Sequence, residues 1–196
     1  MAVPEDILVF WFGNEPKQPL KNAAQWWQKD PDFDQKVKEH FEAPLQQAIR
    51  GELESWRADA RTCLAYIILT DQFSRNMYRD TPQMFAQDAL ALAACLHGME
   101  QGQDRELTSV QCWFFYMPMM HSEDWKIQQR AVQSFRDLAD HAEPAFKETL
   151  ANAYDFAVKH AAIVERFGRF PHRNKLLGRE STAEERAFLK QPGSSF

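Results

Sequence analysis

The stretch DPDFDQKVKEHFEAPLQQAIRG, residues 30–51, decides the fold class. Asp30 is an N-cap residue and Pro31 suits the first helical position, where a missing N–H costs nothing. Phe33, Val37, Phe41, Leu45, Ala48 and Ile49 then recur on one face at helical spacing, and Gly51 supplies the stop. Pro44 is expected to kink that helix or divide it.

The same punctuation repeats outward in both directions. On the N-terminal side, Pro4 to Phe12 reads as a short apolar helix with Glu5 and Asp6 in its first turn and Gly13 as its stop, followed by a loop over 14–24. On the C-terminal side a long helix is expected from about Asp59 to Asn76. Thr81-Pro82 opens the next, which ends near Gly98 or Gly102, and Thr108 starts a short one that Pro118 closes. Ser122, with Glu123 and Asp124 behind it, opens another to about His141. A long helix runs from Pro144 to Gly168, Phe170-Pro171 breaks it, and a short piece ends at Gly178. Ser181-x-x-Glu184 then reads as the capping box of the last helix. About eight helices with short connections imply antiparallel pairs in a single all-α domain over 1–196, its tail 191–196 frayed.

Composition agrees. Fifteen Phe and six Trp supply a large core, and seven Gly with few β-branched residues leave little material for strands. Cys63, Cys95 and Cys112 stand far apart, without a CxxC pair, and are read as reduced thiols of a cytoplasmic protein. No stretch approaches a membrane span, and a net charge of −5 argues against nucleic acid as a partner. The charge is uneven, however: residues 166–179 hold Arg166, Arg169, Arg173, Lys175 and Arg179 with no acid among them.

Three segments break the amphipathic pattern. In 71–76, Asp71 lies on the apolar face of Leu64, Ile67 and Ile68, with Arg75 one turn on and Asn76 beside it. A buried carboxylate needs a partner. That partner is either the local Arg75 or an arginine of another element, and Arg166, Arg169 or Arg173 is expected. In 116–124, His121 precedes the acids Glu123 and Asp124 at a helix start. In 160–179, His160 points toward the core, and His172, Arg173 and Asn174 follow Pro171. If a helix begins at Pro171, its first N–H groups have no partner in the helix, and arginine beside them makes a phosphate or carboxylate site. Unless a ligand is bound there, Asp71, Glu123 or Asp124 must neutralise the arginines. The three segments are expected to converge.

These segments also carry a resemblance. DQFSRNMYRDTPQMFAQD (71–88), YMPMMHSEDWKIQ (116–128) and HAAIVERFGRFPHRNKLLGRESTAEE (160–185), with ILVFWFG (7–13) and Trp56, are similar to the bacterial domain-of-unknown-function family numbered 924. Ser74 stands where that family has proline and Asp80 where it has glycine. The resemblance implies a tetratricopeptide-like α/α superhelix and brings no established activity, cofactor or catalytic residue.

The residues themselves therefore carry the functional expectation. Candidate acid–base groups are His121, His172, Asp71 and Glu123. Candidate ligand-binding groups are Arg75, Asn76, Asp124, His160, Arg166, Arg169, Arg173, Asn174 and Arg179. They suit a small anionic ligand, with or without a reaction. A helical groove that grips an acidic peptide and a purely structural polar network remain alternatives. No metal-ligand spacing or cofactor motif is present, so neither group is expected. The oligomeric state is not legible.

Overall fold

Asp30 acts as its position predicts: its carboxylate accepts from the Asp32 and Phe33 N–H groups and starts a helix. In the computed structural model, which describes residues 3–14 and 20–195, that helix is one of nine and no strand occurs among the described residues. They are α1 (Pro4–Phe12), α2 (Ala23–Trp27), α3 (Pro31–Ile49) and α4 (60–77). The others are α5 (Asp88–Glu100), α6 (Ser109–Met120), α7 (Trp125–Asp140), α8 (Lys147–Phe167) and α9 (Ala183–Phe188). Short 3₁₀ turns join several of them.

The expected closure of a helix at Pro118 does not occur, and α3 is not divided at Pro44. Pro44 lies inside α3 and Pro118 inside α6; both are buried and neither divides its helix. Packing of the surrounding face outweighs the lost N–H bond at each. Ile49, expected on the apolar face of α3, is exposed in its last turn. The expected loop over 14–24 runs at its end into α2, which begins at Ala23 and whose Trp26 packs on Trp11 and Phe114; the expectation for 15–19 lies outside the described residues. Two caps move by a residue or two. Asp124, not Ser122, caps α7, and Thr182 with Glu185, not Ser181 with Glu184, forms the capping box of α9. Of the tail expected to fray, Ser194 is buried and its hydroxyl donates to the Leu189 carbonyl, while Phe196 lies outside the described residues.

The central element is α4. It is buried on all sides from Cys63 to Ser74, which explains why its apolar residues are not confined to one stripe. α1, α3, α5 and α6 pack around it, and α6, α7 and α8 continue outward as antiparallel neighbours. Helix lengths run from five residues in α2 to twenty-one in α8.

Within α4, residues Ile68–Phe73 form a π-helical turn, with α-helix on either side. The extra residue per turn displaces Asp71 and Gln72 relative to a regular helix, a device that recurs at functional sites. After α4 the chain reverses through Asp80, which takes a left-handed φ of 61°. That conformation suits glycine and explains the expected family preference at this position.

Beyond Gly168, which ends α8 at a φ of 67°, the chain turns back onto the start of α5 and the end of α6. Residues Pro171–Arg173 are a single 3₁₀ turn rather than the start of an α-helix. This returning segment carries the basic cluster.

Candidate functional site

The three irregular segments meet. Asp71, fully buried, receives His121 Nδ1 at 2.8 Å and Arg75 Nη1 at 2.8 Å on its Oδ1 atom, and Gln72 donates to its Oδ2. The expected arginine from another element is not on Asp71: the ion pair is with Arg75 of the same helix, and Arg173 reaches the cluster by a different route. Burial alone would raise the Asp71 carboxyl, but Arg75 and His121 outweigh it and hold it well below the usual carboxylate range. An ionised carboxylate can only accept, so His121 Nδ1 carries the proton and Nε2 keeps its lone pair. Burial, with Arg75 second, pushes His121 below its ordinary value and keeps the ring neutral.

Asp88 is the bridging group. Its Oδ1 lies 2.9 Å from Arg75 Nη1 and its Oδ2 3.1 Å from Arg173 Nη1. Arg173 also donates from Nη2 to the His121 carbonyl at 3.0 Å, which ties the C-terminal segment to the end of α6. Its guanidinium lies between two rings, 4.6 Å from the centroid of Phe85 and 4.6 Å from that of Phe170. Burial and the neighbouring Arg75 lower its pKa to about 10 although Asp88 opposes them. Two donors, Arg75 Nη2 and Arg173 Nε, are sealed from solvent without an acceptor among the described residues.

A second layer secures the returning segment. Glu123 takes Arg179 as a bidentate pair at 2.7 and 2.9 Å and also accepts the Phe170 N–H at 2.8 Å. Burial opposes the ionised form of Glu123, and the Arg179 hydrogen bonds outweigh it, so its pKa is lowered. Glu123 thus supplies the carboxylate expected to answer the basic cluster, and the Arg173 and Asn174 N–H groups, expected to be open to an anion, donate instead to the Phe170 and Pro171 carbonyls. Asn174 accepts from Arg179 Nε and donates to Ser181 and Glu185. Glu185, held down to about 2 chiefly by its hydrogen bond from Arg169, pairs with that arginine at 2.7 and 2.9 Å.

The histidines lie around Phe170. His160 Nδ1 donates to the Phe156 carbonyl at 2.8 Å, and its ring stands 6.3 Å from His121 and 5.6 Å from Phe170. His172 lies 5.6 Å from Phe170 on a partly exposed position. The remaining expected residues lie apart. Asn76 donates to Asp34, Arg166 pairs with Glu184 at the surface, and Asp124 is an exposed cap.

Asp88 and Phe85 were not singled out in the sequence. Asp88 stands in the first turn of α5, where an acid is ordinary. Phe85 sits in a turn with no periodicity to read. A separate cleft of about 350 Å³ lies between α1 and the start of α6 and includes none of these residues.

The family model described as a bacterial protein of unknown function, DUF924, matches residues 7–193. The chain belongs to DUF924. A solved structure of a protein of unknown function from Agrobacterium tumefaciens is similar over 95% of this chain and 96% of that one, at 36% identity and a TM-score of 0.79. No curated protein matches the chain. The polar segments quoted above therefore fall inside the DUF924 region, and the family carries no assigned activity.

Proposed function

We propose that this DUF924 protein binds a small carboxylate- or phosphate-bearing ligand at the Arg75–Arg173 pair, with His121 beside it as the acid–base group. The observation that carries this reading is the pair of sealed donors, Arg75 Nη2 and Arg173 Nε, on two guanidiniums that share one carboxylate, Asp88. Buried N–H groups in folded proteins nearly always have an acceptor, and an anion between two arginines supplies one. Burial, with Arg75 second, is what lowers the pKa of Arg173, and an anion bound beside it would offset that cost. His121, neutral and oriented through Nδ1 by an ionised Asp71, presents Nε2 unprotonated as a proton acceptor.

Arg166, Arg169 and Arg179 belong to a second reading, a structural clamp, because each holds a carboxylate and none carries a sealed donor without an acceptor among the described residues. The clamp reading extends to the whole cluster if no ligand binds. A cytoplasmic location is part of the proposal. It rests on three buried free thiols, Cys63, Cys95 and Cys112, and no described helix is long and apolar enough to cross a membrane.

Thermal denaturation in phosphate, citrate and an acidic peptide tests the reading. Wild type should gain about 2.7 kcal/mol at a hundredfold excess of the small anion over its Kd. Arg75→Lys, at the more exposed of the two arginines, should lose that gain. An equal gain in the variant, or none in either protein, leaves the clamp alone. A gain with the peptide only would move the function to an interaction groove.

A further inference from the structure

We propose that the turn Pro82–Phe85 is a lid over the Arg75–Arg173 site, with the Phe85 ring as the gate; this rests on the anion reading above. Arg173 is stacked between two aromatic rings that differ in kind. Phe170, on the inner side, is fully buried and fixed by its N–H to Glu123. Phe85, at the same distance from the guanidinium, is partly exposed. It also lies 5.8 Å from the Arg75 guanidinium, so one ring covers both cations. The donors beneath are sealed. An anion reaches them only if something moves, and Phe85 is the partly exposed member of the stack.

The turn is built to move at small cost. Among the described residues, the hydrogen bond from its backbone to another element is Ser74 Oγ to the Gln83 carbonyl, which at 3.5 Å is long. Its other bonds are local: Met84 N–H to Thr81 and Ala86 N–H to Gln83. On its N-terminal side stands Asp80, with its left-handed φ and an exposed ion pair to Lys29. Arg79 and Tyr78 are tied to Asp34 and Glu42 of α3, so Asp80 to Thr81 and Ala86 to Gln87 are the positions that can absorb the dihedral change of a swing while α4 and α5 stay fixed. Closure returns the ring to the guanidiniums and excludes water, which strengthens the attraction between the arginines and a bound anion.

Phenylglyoxal, which modifies accessible arginine side chains, separates the lid from the anion reading. Modification of Arg75 and Arg173 is followed by peptide mass spectrometry in wild type and Phe85→Ala, with and without inorganic phosphate. Phe85→Leu gives the same comparison if alanine weakens the fold. The lid predicts several-fold faster modification at both arginines in the variant, slowed by phosphate in both proteins. Equal rates in the two proteins, with phosphate protection in each, overturn the lid and leave the anion site. Faster modification in the variant without phosphate protection in either overturns the anion reading and with it a lid that serves an anion. Equal rates and no protection overturn both.

Discussion

Asp71 shows how one side chain sets the state of its neighbours. A carboxylate with no exposure survives as an anion because Arg75 and His121 both reach it. Removing one partner from such a pair leaves a buried charge, which typically costs about 3–5 kcal/mol. The histidines respond in the opposite sense. Burial first, with His121 second, lowers His160 to about 3; burial first, with Arg173 second, lowers His172 to about 4. In the unfolded chain both titrate near pH 6.5. As pH falls below about 6.5, the unfolded chain takes up protons that the native state refuses, so stability is lost through that window down to the folded values. Between pH 6.5 and 5 each histidine should account for about 1.5 kcal/mol, the slope rising from half of about 1.36 kcal/mol per pH unit to nearly all of it. Urea denaturation at pH 7, 6 and 5 measures the loss, and His172→Asn should reduce its slope. A profile flat from pH 7 to 5, or a slope unchanged in the variant, contradicts the neutral-histidine assignment.

At the scale of elements, the segment after Gly168 is held by ion pairs together with apolar packing. Its apolar contribution is a small cluster of Ile163, Val164 and Phe170 with Phe167 and Phe188. Glu123, from the α6–α7 junction, grips it at two places: the Phe170 N–H and the Arg179 side chain. A double-mutant cycle over Glu123→Gln and Arg179→Ala should therefore give a coupling of about 1–2 kcal/mol, above that of an exposed pair. Amides of residues 170–179 should lose hydrogen-exchange protection in either single variant. Coupling near zero would mean that the segment is held by its apolar cluster alone. The sequence made the arginines of this segment conspicuous, because five basic residues without an acid stand out locally. It could not show that Glu123, Asp88 and Glu185 answer them, since ion pairing across elements leaves no periodic trace.

Across the whole molecule, what was legible followed from local chemistry. Caps, glycine stops and helical spacing placed the helices, and a carboxylate on an apolar face marked Asp71 before any contact was known. The errors came from tertiary override. Pro44 and Pro118 remain inside helices because burial outweighs a lost hydrogen bond. The π-helical turn at Ile68–Phe73 and the bridging Asp88 have no sequence signature beyond ordinary helix residues. The convergence of 71–76, 116–124 and 160–179 was legible as a shared excess of polar groups. The sealed donors on Arg75 and Arg173 were not, because they follow from how the returning segment lands on α5 and α6. They are also where the account is most exposed to test. Crystals soaked in selenate and measured at the selenium edge would place any bound oxyanion directly. A selenium peak is expected between the two guanidiniums, with oxygens of the bound selenate within about 3 Å of both Arg75 Nη2 and Arg173 Nε. An anomalous map with no peak between the two guanidiniums, at selenate concentrations that label other surface arginines, would contradict it.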